Sequence, residues 1–261
     1  MNCKSCLSEI NENNRFCSNC GSKIVDDRLS IKGTWEEFIG PFLSWDNNFW
    51  RTFTGLFTDP KDVLEAYING ARKKYFQPFS YLILFATIAV IFYKIFPMGG
   101  IADFSDGFNQ GINTNDPSAV NMPKMDMKGF MENMMNYYNF YYILMIPIIS
   151  FITYLTFYKQ KNNFSEHLVF NSYIQTNLGF ISLILQVLFF NIIGLSFLYF
   201  YLGYLILSML FSTYAFKKLY ALSTKQALIS VLKFWAILIP LYIVVSLVGT
   251  VIAVIYMFAT K

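Results

Sequence analysis

Residues 173–216 read YIQTNLGFISLILQVLFFNIIGLSFLYFYLGYLILSMLFSTYAF, forty-four positions without one charged side chain. A run of that length is enough for two crossings of a bilayer, each taking roughly 20 helical residues for about 30 Å of hydrocarbon. Gly194 is its natural turn, so the run reads as a tight hairpin of spans over Tyr173–Ile193 and Ser196–Phe216. Three further apolar runs qualify on the same ground: Phe79–Phe96, Phe140–Tyr158 and Phe234–Phe258. Each is apolar around its whole circumference, as a lipid-embedded helix must be.

The bulk composition agrees. The chain of 261 residues is 55% hydrophobic, 19% aromatic and 14% charged, with a mean hydropathy of +0.42. A soluble domain carries about 25% charged residues. The N-terminus is polar and rich in cysteine, which does not fit a cleavable signal peptide. The expected fold class is an all-α polytopic membrane protein with about five transmembrane helices, cytoplasmic interfacial helices and a small N-terminal zinc ribbon.

Lysine and arginine placement sets the expected orientation. Arg72, Lys73 and Lys74 precede the first span. Lys159 and Lys161 follow the second, and Lys217, Lys218, Lys225 and Lys233 separate the fourth from the fifth. The loop between the first two spans holds only Lys124 and Lys128 among several acids. These positions call for an N-terminus inside and a C-terminus outside. The implied domains are 1–25, a zinc ribbon; 26–78, a linker with amphipathic juxtamembrane helices; and 79–261, five spans with an outer loop at 97–139.

All four cysteines lie in the first twenty residues, as Cys3-x-x-Cys6 and Cys17-x-x-Cys20 with ten residues between the pairs. Two such knuckles supply the four soft ligands of a tetrahedral zinc ion, and a reducing cytosol favours thiolates over disulfides. A module this small needs the metal to fold. With four cysteine ligands there is no open coordination position, so the expected Zn2+ is structural and the module a docking surface. A redox dithiol pair is the alternative. Lys4, Arg15, Lys23 and Arg28 balance Glu9, Glu12, Asp26 and Asp27, which argues against nucleic acid as the partner.

Between Ile31 and Pro78 the pattern is amphipathic. Trp35, Phe38, Ile39, Phe42 and Leu43 share one helical face; Phe49, Trp50, Phe53, Leu56 and Phe57 share another. Asp59-Pro60 followed by Asp62 marks a helix start, with Val63, Leu64, Tyr67 and Ile68 inward and Gly70 the stop. One to three helices lying on the cytoplasmic leaflet are expected, with Trp35, Trp45 and Trp50 at headgroup level. Arg72, Lys73 and Lys74 are the candidate lipid-headgroup contact, or simply a topology signal.

Residues 52–82, TFTGLFTDPKDVLEAYINGARKKYFQPFSYL, and 163–173, NFSEHLVFNSY, carry a resemblance. With the cysteine knuckles they resemble DUF3667, a family of bacterial membrane proteins found largely in Bacteroidetes. The family's Y-x-x-G-x-R-x-x-Y-x-x-P segment falls on Tyr67, Gly70, Arg72, Tyr75 and Pro78, and its E-H-L-V-F on Glu166 through Phe170. The likeness runs to about Asn177; beyond that only hydrophobicity matches. It implies a zinc ribbon joined to a multi-span domain in a bacterial inner membrane, and it implies no activity. In layout alone the chain is also similar to Yip1-like five-span proteins, which would imply trafficking or assembly work.

Within the spans, Asn171, Gln175, Ser182 and Gln186 fall near one helical face, with Asn177 and Asn191 off it. That stripe is a polar path or interhelical packing. Glu166 and His167, with Ser165 as candidate N-cap, form a cytoplasmic-face or partner site, or a solvated helix start. His167 is the sole histidine, so no histidine cluster or catalytic dyad can form. Lys94 can snorkel outward, and no Asp, Glu or Arg enters the spans, which disfavours a proton-coupled pump. Met122, Met125, Met127, Met131, Met134 and Met135 read as a helical face or as soft Cu(I) ligands. Ser246–Thr250 and Gly249–Ala253 are close-approach pairs for helix packing, and Pro147 and Pro240 are candidate kinks.

No phosphate-cradling loop, nucleophile elbow or H-E-x-x-H occurs. The expectation is a non-enzymatic membrane protein with lipids and a protein partner around it, able to form a homo-oligomer. A transporter or channel for lipid or small solute, working through Gln175 or Gln186, is the alternative.

Overall fold

The structure is a computed structural model that describes residues 2–3, 5–9, 16–21, 48–96, 137–194 and 197–259. It divides into two units, 1–47 and 48–261. The helix proposed at Trp35–Leu43, the outer methionine cluster and the loop acids lie outside the described residues. So do the side chains of Ser246, Gly249, Thr250 and Ala253.

Among the described residues, seven α-helices build the second unit. They are α1 (Asn48–Thr58), α2 (Pro60–Ile68), α3 (Pro78–Ile95), α4 (Tyr138–Thr156), α5 (Phe164–Gln186), α6 (Phe197–Leu219) and α7 (Thr224–Ala259), and α5 continues as a π-helical turn, Val187–Ile192. Four of them contain stretches long and apolar enough to cross a membrane: Pro78–Ile95, Phe164–Phe190, Leu198–Leu219 and Thr224–Val244. The remaining expected span, Phe140–Tyr158, is also helical: it forms α4, with a shorter described apolar stretch, Phe140–Thr156. The Phe157 N–H still bonds the Thr153 carbonyl, and the chain then turns through Tyr158 and Lys159.

Helix starts follow caps rather than hydropathy. Asp59 caps α2, accepting from the Asp62 N–H, with Pro60 in the first turn, and Gly70 ends the segment at φ +90°. That is the start and stop expected from the sequence. The expected start of the third span at Tyr173 is corrected to Phe164, and the expected Ser165 cap to Asn163. The Asn163 side chain accepts from the Glu166 N–H, and the Glu166 carboxylate accepts from the Asn163 N–H, both at 2.9 Å. This reciprocal capping box satisfies two otherwise orphaned donors. Ser223 and Gln226 make the same exchange, so α7 begins ten residues before the expected Phe234. Gly194 takes φ +70° at the expected hairpin turn. Helices α4 and α7 run on through Pro147 and Pro240.

The core joins α1 and α2 to the bundle. Leu56, Val63 and Leu64 are buried in one cluster with Tyr81, Phe170, Tyr173, Ile174, Ala215 and Phe216. The apolar faces of α1 and α2, expected to enter the leaflet, lie largely against α5 and α6 instead. Amphipathicity demands an apolar partner, and neighbouring helices meet that demand as well as lipid does. Trp50 and Phe57 remain exposed.

Candidate functional site

The two cysteine knuckles have the same backbone. The Leu7 N–H bonds the Cys3 carbonyl and the Gly21 N–H bonds the Cys17 carbonyl, each at 2.9 Å. Both residues take the left-handed conformation, Leu7 at φ 62° and Gly21 at φ 71°. Asn2 pairs with Glu9 across the first knuckle. The result gathers all four Sγ atoms within 4.8 Å of one another. Cys3 and Cys20 are 3.6 Å apart, and Cys6 and Cys17 are 3.7 Å apart. Those separations are far from the roughly 2.05 Å of a disulfide. A tetrahedral ion bound at about 2.3 Å by four thiolates requires edges of roughly 3.8 Å, so the four residues fit a metal ion.

Polar groups around the sulfurs suit thiolates. The Ser5 N–H points at Cys3 Sγ at 3.4 Å, and Ser8 Oγ lies 3.0 Å from Cys6 Sγ and 3.4 Å from Cys17 Sγ. The Ser8 hydroxyl, then the backbone N–H groups of Cys20 and Asn19, bring the Cys17 thiol down to about 7. Closed four-sulfur sites of this kind hold structure rather than activate water.

Leu7 was not marked by the sequence reading. A non-glycine residue in the left-handed region costs about 1–2 kcal/mol, and its side chain is 76% exposed, so no packing offsets the strain. Glycine there recovers the strain but loses about 0.5–1 kcal/mol to unfolded-chain entropy. Leu7→Gly is expected to tighten metal binding by up to roughly tenfold, from that difference. Competition against a chromophoric chelator measures it.

The basic triplet is divided. Lys74 Nζ donates to both Asp62 carboxylate oxygens, at 2.8 and 2.7 Å, and the Tyr75 hydroxyl donates to the same carboxylate. Lys74 first, then Tyr75, hold the Asp62 carboxyl below its ordinary range. Burial, then the hydrogen bond to Asp62 and that residue's charge, push Tyr75 up to about 12. The Arg72 guanidinium lies 5.4 Å over the Tyr67 ring, and the Asn48 side chain donates to the Lys73 carbonyl at 3.0 Å. Lys74 is thus paired with Asp62, and all three basic residues lie at the surface.

Glu166 and His167 part company. Glu166 is held in the α5 capping box and accepts from Asn162 at 2.9 Å. His167 is fully buried, which corrects its reading as a solvated helix start. Its ring stacks with Phe157 and Phe216, at interplanar angles of 15° and 24°. Its tautomer follows from counting donors. Thr153 Oγ1 donates to the Ser150 carbonyl at 3.0 Å and accepts from Asn171 Nδ2 at 2.8 Å. It can therefore only accept from His167 Nδ1, 3.1 Å away. Nδ1 carries the proton, and Nε2 faces the Tyr220 hydroxyl at 3.5 Å. Thr153 sits in an apolar run and Tyr220 in the basic stretch between two spans, and neither setting gave a sign of this role.

The amide stripe is met by tyrosines. Tyr81 donates to Asn177 Oδ1 at 2.9 Å, and Gln186 donates to the Tyr93 hydroxyl at 3.2 Å. Tyr142 donates to the Gln175 carbonyl, and Ser182 bonds back to the Gly179 carbonyl at 2.7 Å. Asn177, which lies off that stripe, is fully buried as well. These bonds join α3 and α4 to α5, the arrangement in which buried amides hold helices together. Asn171 Oδ1, Thr176 Oγ1, Asn177 Nδ2 and Gln186 Oε1 have no hydrogen-bond partner among the described residues.

Compared with known proteins, residues 46–90 match the model of DUF3667, a protein of unknown function. The match takes in α1, α2, the basic turn and most of α3, and it supports the resemblance to that family. No curated protein and no solved structure matches the chain.

Proposed function

We propose that the chain is a non-enzymatic integral protein of a bacterial inner membrane whose N-terminal ribbon binds one structural Zn2+ and docks a protein partner. The convergence of four thiols in the N-terminal unit carries this reading. Four soft ligands with no open position suit zinc held for shape, and a small metal-folded unit is suited to presenting a surface. The proposal keeps five spans, counting α4, with the N-terminus inside and the C-terminus outside. Lysines at 217, 218, 225 and 233 favour that orientation.

The test compares proteins that co-purify from native membranes with the wild-type chain and with Cys3→Ser/Cys6→Ser. A stoichiometric partner that is present only with the intact ribbon, together with one zinc per chain, is the expected result. Identical partner sets overturn the docking reading.

A second reading, a transporter or channel for lipid or small solute, draws support from the unpartnered polar atoms on α5. It requires Gln186→Leu to abolish flux while the fold survives; normal flux through that variant in liposomes sinks it.

A further inference from the structure

The four sulfurs of the cysteine unit differ in what can reach them. Cys3 and Cys17 are 3% and 2% exposed, Cys6 is half-buried, and Cys20 lies open. Ser18, Asn19 and Gly21 around it are exposed as well. A Cβ built at Gly21 would meet nothing within 4 Å, so among the described residues no side chain stands over that turn. Oxidation of a cysteine follows its thiolate character and its access. A site of four thiolates supplies the first at every position, and access singles out Cys20.

A second sulfur is placed to answer the first. Cys3 Sγ lies 3.6 Å from Cys20 Sγ. A disulfide needs roughly 2.05 Å, so closure asks for about 1.5 Å of travel. The other two sulfurs are tied to each other: Ser8 Oγ lies 3.0 Å from Cys6 Sγ and 3.4 Å from Cys17 Sγ. The Asn19 amide donates to Cys6 Sγ at 3.8 Å. The sulfurs thus fall into pairs that cross from one knuckle to the other, with the exposed member in the Cys3–Cys20 pair.

We propose that Cys20 and Cys3 form a peroxide-responsive pair that opens the ribbon and releases its partner. This rests on the reading of the ribbon as a zinc-holding docking module, and it adds a signal that ends the docking. The Cys20 thiolate attacks one peroxide oxygen; an S–O bond forms, the O–O bond breaks, and hydroxide leaves to take up a proton as water. The Cys3 thiolate then attacks the Cys20 sulfur; an S–S bond forms, the S–O bond breaks, and a second hydroxide leaves and is protonated. Two sulfurs together lose two electrons, and one peroxide becomes two waters. Cys6 and Cys17 remain as two ligands where a closed tetrahedral site takes four. A unit whose folding depends on its metal then loses its shape, and the docking surface goes with it. A dithiol reductant returns both thiolates by exchange.

The test uses full-length protein purified with zinc in detergent micelles, and hydrogen peroxide as the oxidant. Zinc is counted before treatment and, with a chromophoric chelator, as it is lost. Disulfides are mapped by mass spectrometry after the remaining thiols are trapped. Tryptic cleavage after Lys4, Arg15 and Lys23 places Cys3 and Cys6 in separate peptides and Cys17 with Cys20 in a third. One zinc should be lost per disulfide formed, and the first disulfide should join Cys3 to Cys20. Dimedone present during oxidation should be captured on Cys20 ahead of the other three. A dithiol with added Zn2+ should then restore the zinc content and the protease resistance of residues 1–25. A chain that holds one zinc and keeps it through a large molar excess of peroxide overturns the switch and leaves the docking module standing. A first disulfide between Cys3 and Cys6, or between Cys17 and Cys20, overturns it too, as does oxidation that a dithiol cannot reverse. A chain that purifies without zinc removes the zinc reading and the switch with it.

Discussion

Stripping the metal with a strong chelator unfolds the cysteine unit and leaves the helical bundle standing. This is the largest effect expected of any treatment. Among the described residues of that unit, the buried apolar groups are Cys3 and Cys17, with Cys6 packed against them. Among those residues nothing else forms a buried cluster without the ion. Structural zinc in comparable peptides supplies about 10–16 kcal/mol at pH 7, far more than so small a core could. Limited proteolysis should cut within residues 1–25 of the chelated protein within the time that leaves the metal-loaded form intact. Cys17→Ser should reproduce the result without chelator. The unfolding temperature of the bundle should stay in place, because the helices hold their own core around Phe170, Tyr173 and Phe216. Equal protease resistance with and without metal would show that the ribbon folds on other interactions and would remove the structural role assigned to zinc.

What the sequence made legible follows from how local each signal is. The knuckles were readable because ligand spacing is a local property, and Gly21 suits its left-handed turn because glycine adopts that conformation freely. Leu7 takes the same turn against its own preference, so no propensity could point to it. Asp59-Pro60 and Gly70 bounded α2 because a cap, a fixed φ and a positive φ act within a few residues. The spans were visible as apolar runs, yet the starts of α5 and α7 were misplaced. Hydropathy marks where a helix turns greasy; Asn163 and Ser223 mark where its hydrogen bonds begin. The face of α1 and α2 was read correctly and its partner was not, since an apolar stripe does not say whether lipid or protein covers it. His167 was the least legible of all. Its burial depends on Phe157, Phe216 and Tyr220, brought in from other helices, and no pattern around Glu166 encodes them.

Gly179→Ala should destabilise the bundle by about 1–3 kcal/mol, although the same change favours an isolated helix by up to about 1 kcal/mol. A methyl at Gly179 would enter the Phe85 ring, meeting Cε2 at 2.7 Å and Cε1 at 2.8 Å. That ring has no slack. Phe85 is fully buried, with Tyr142 4.7 Å away on one side and Phe180 5.1 Å away on another, centroid to centroid. The added carbon must push α3 away from α5, and the two bonds that tie those helices flank the contact. Tyr81–Asn177 and Gln186–Tyr93 lengthen together, leaving both amides further from satisfaction in a setting where each buried unpaired group costs about 1–3 kcal/mol. Overpacking therefore wins over propensity. Two controls give the argument its edge. Gly203→Ala meets nothing within 4 Å and should be neutral or mildly stabilising. Phe85→Leu removes ring atoms that the new methyl would strike, so the double variant Gly179→Ala/Phe85→Leu should be less destabilised than the sum of its parts. Unfolding curves in detergent for the four proteins measure the cycle. Strict additivity would mean that close approach at Gly179 does not hold α3 against α5, and that the tyrosine–amide bonds carry the contact alone.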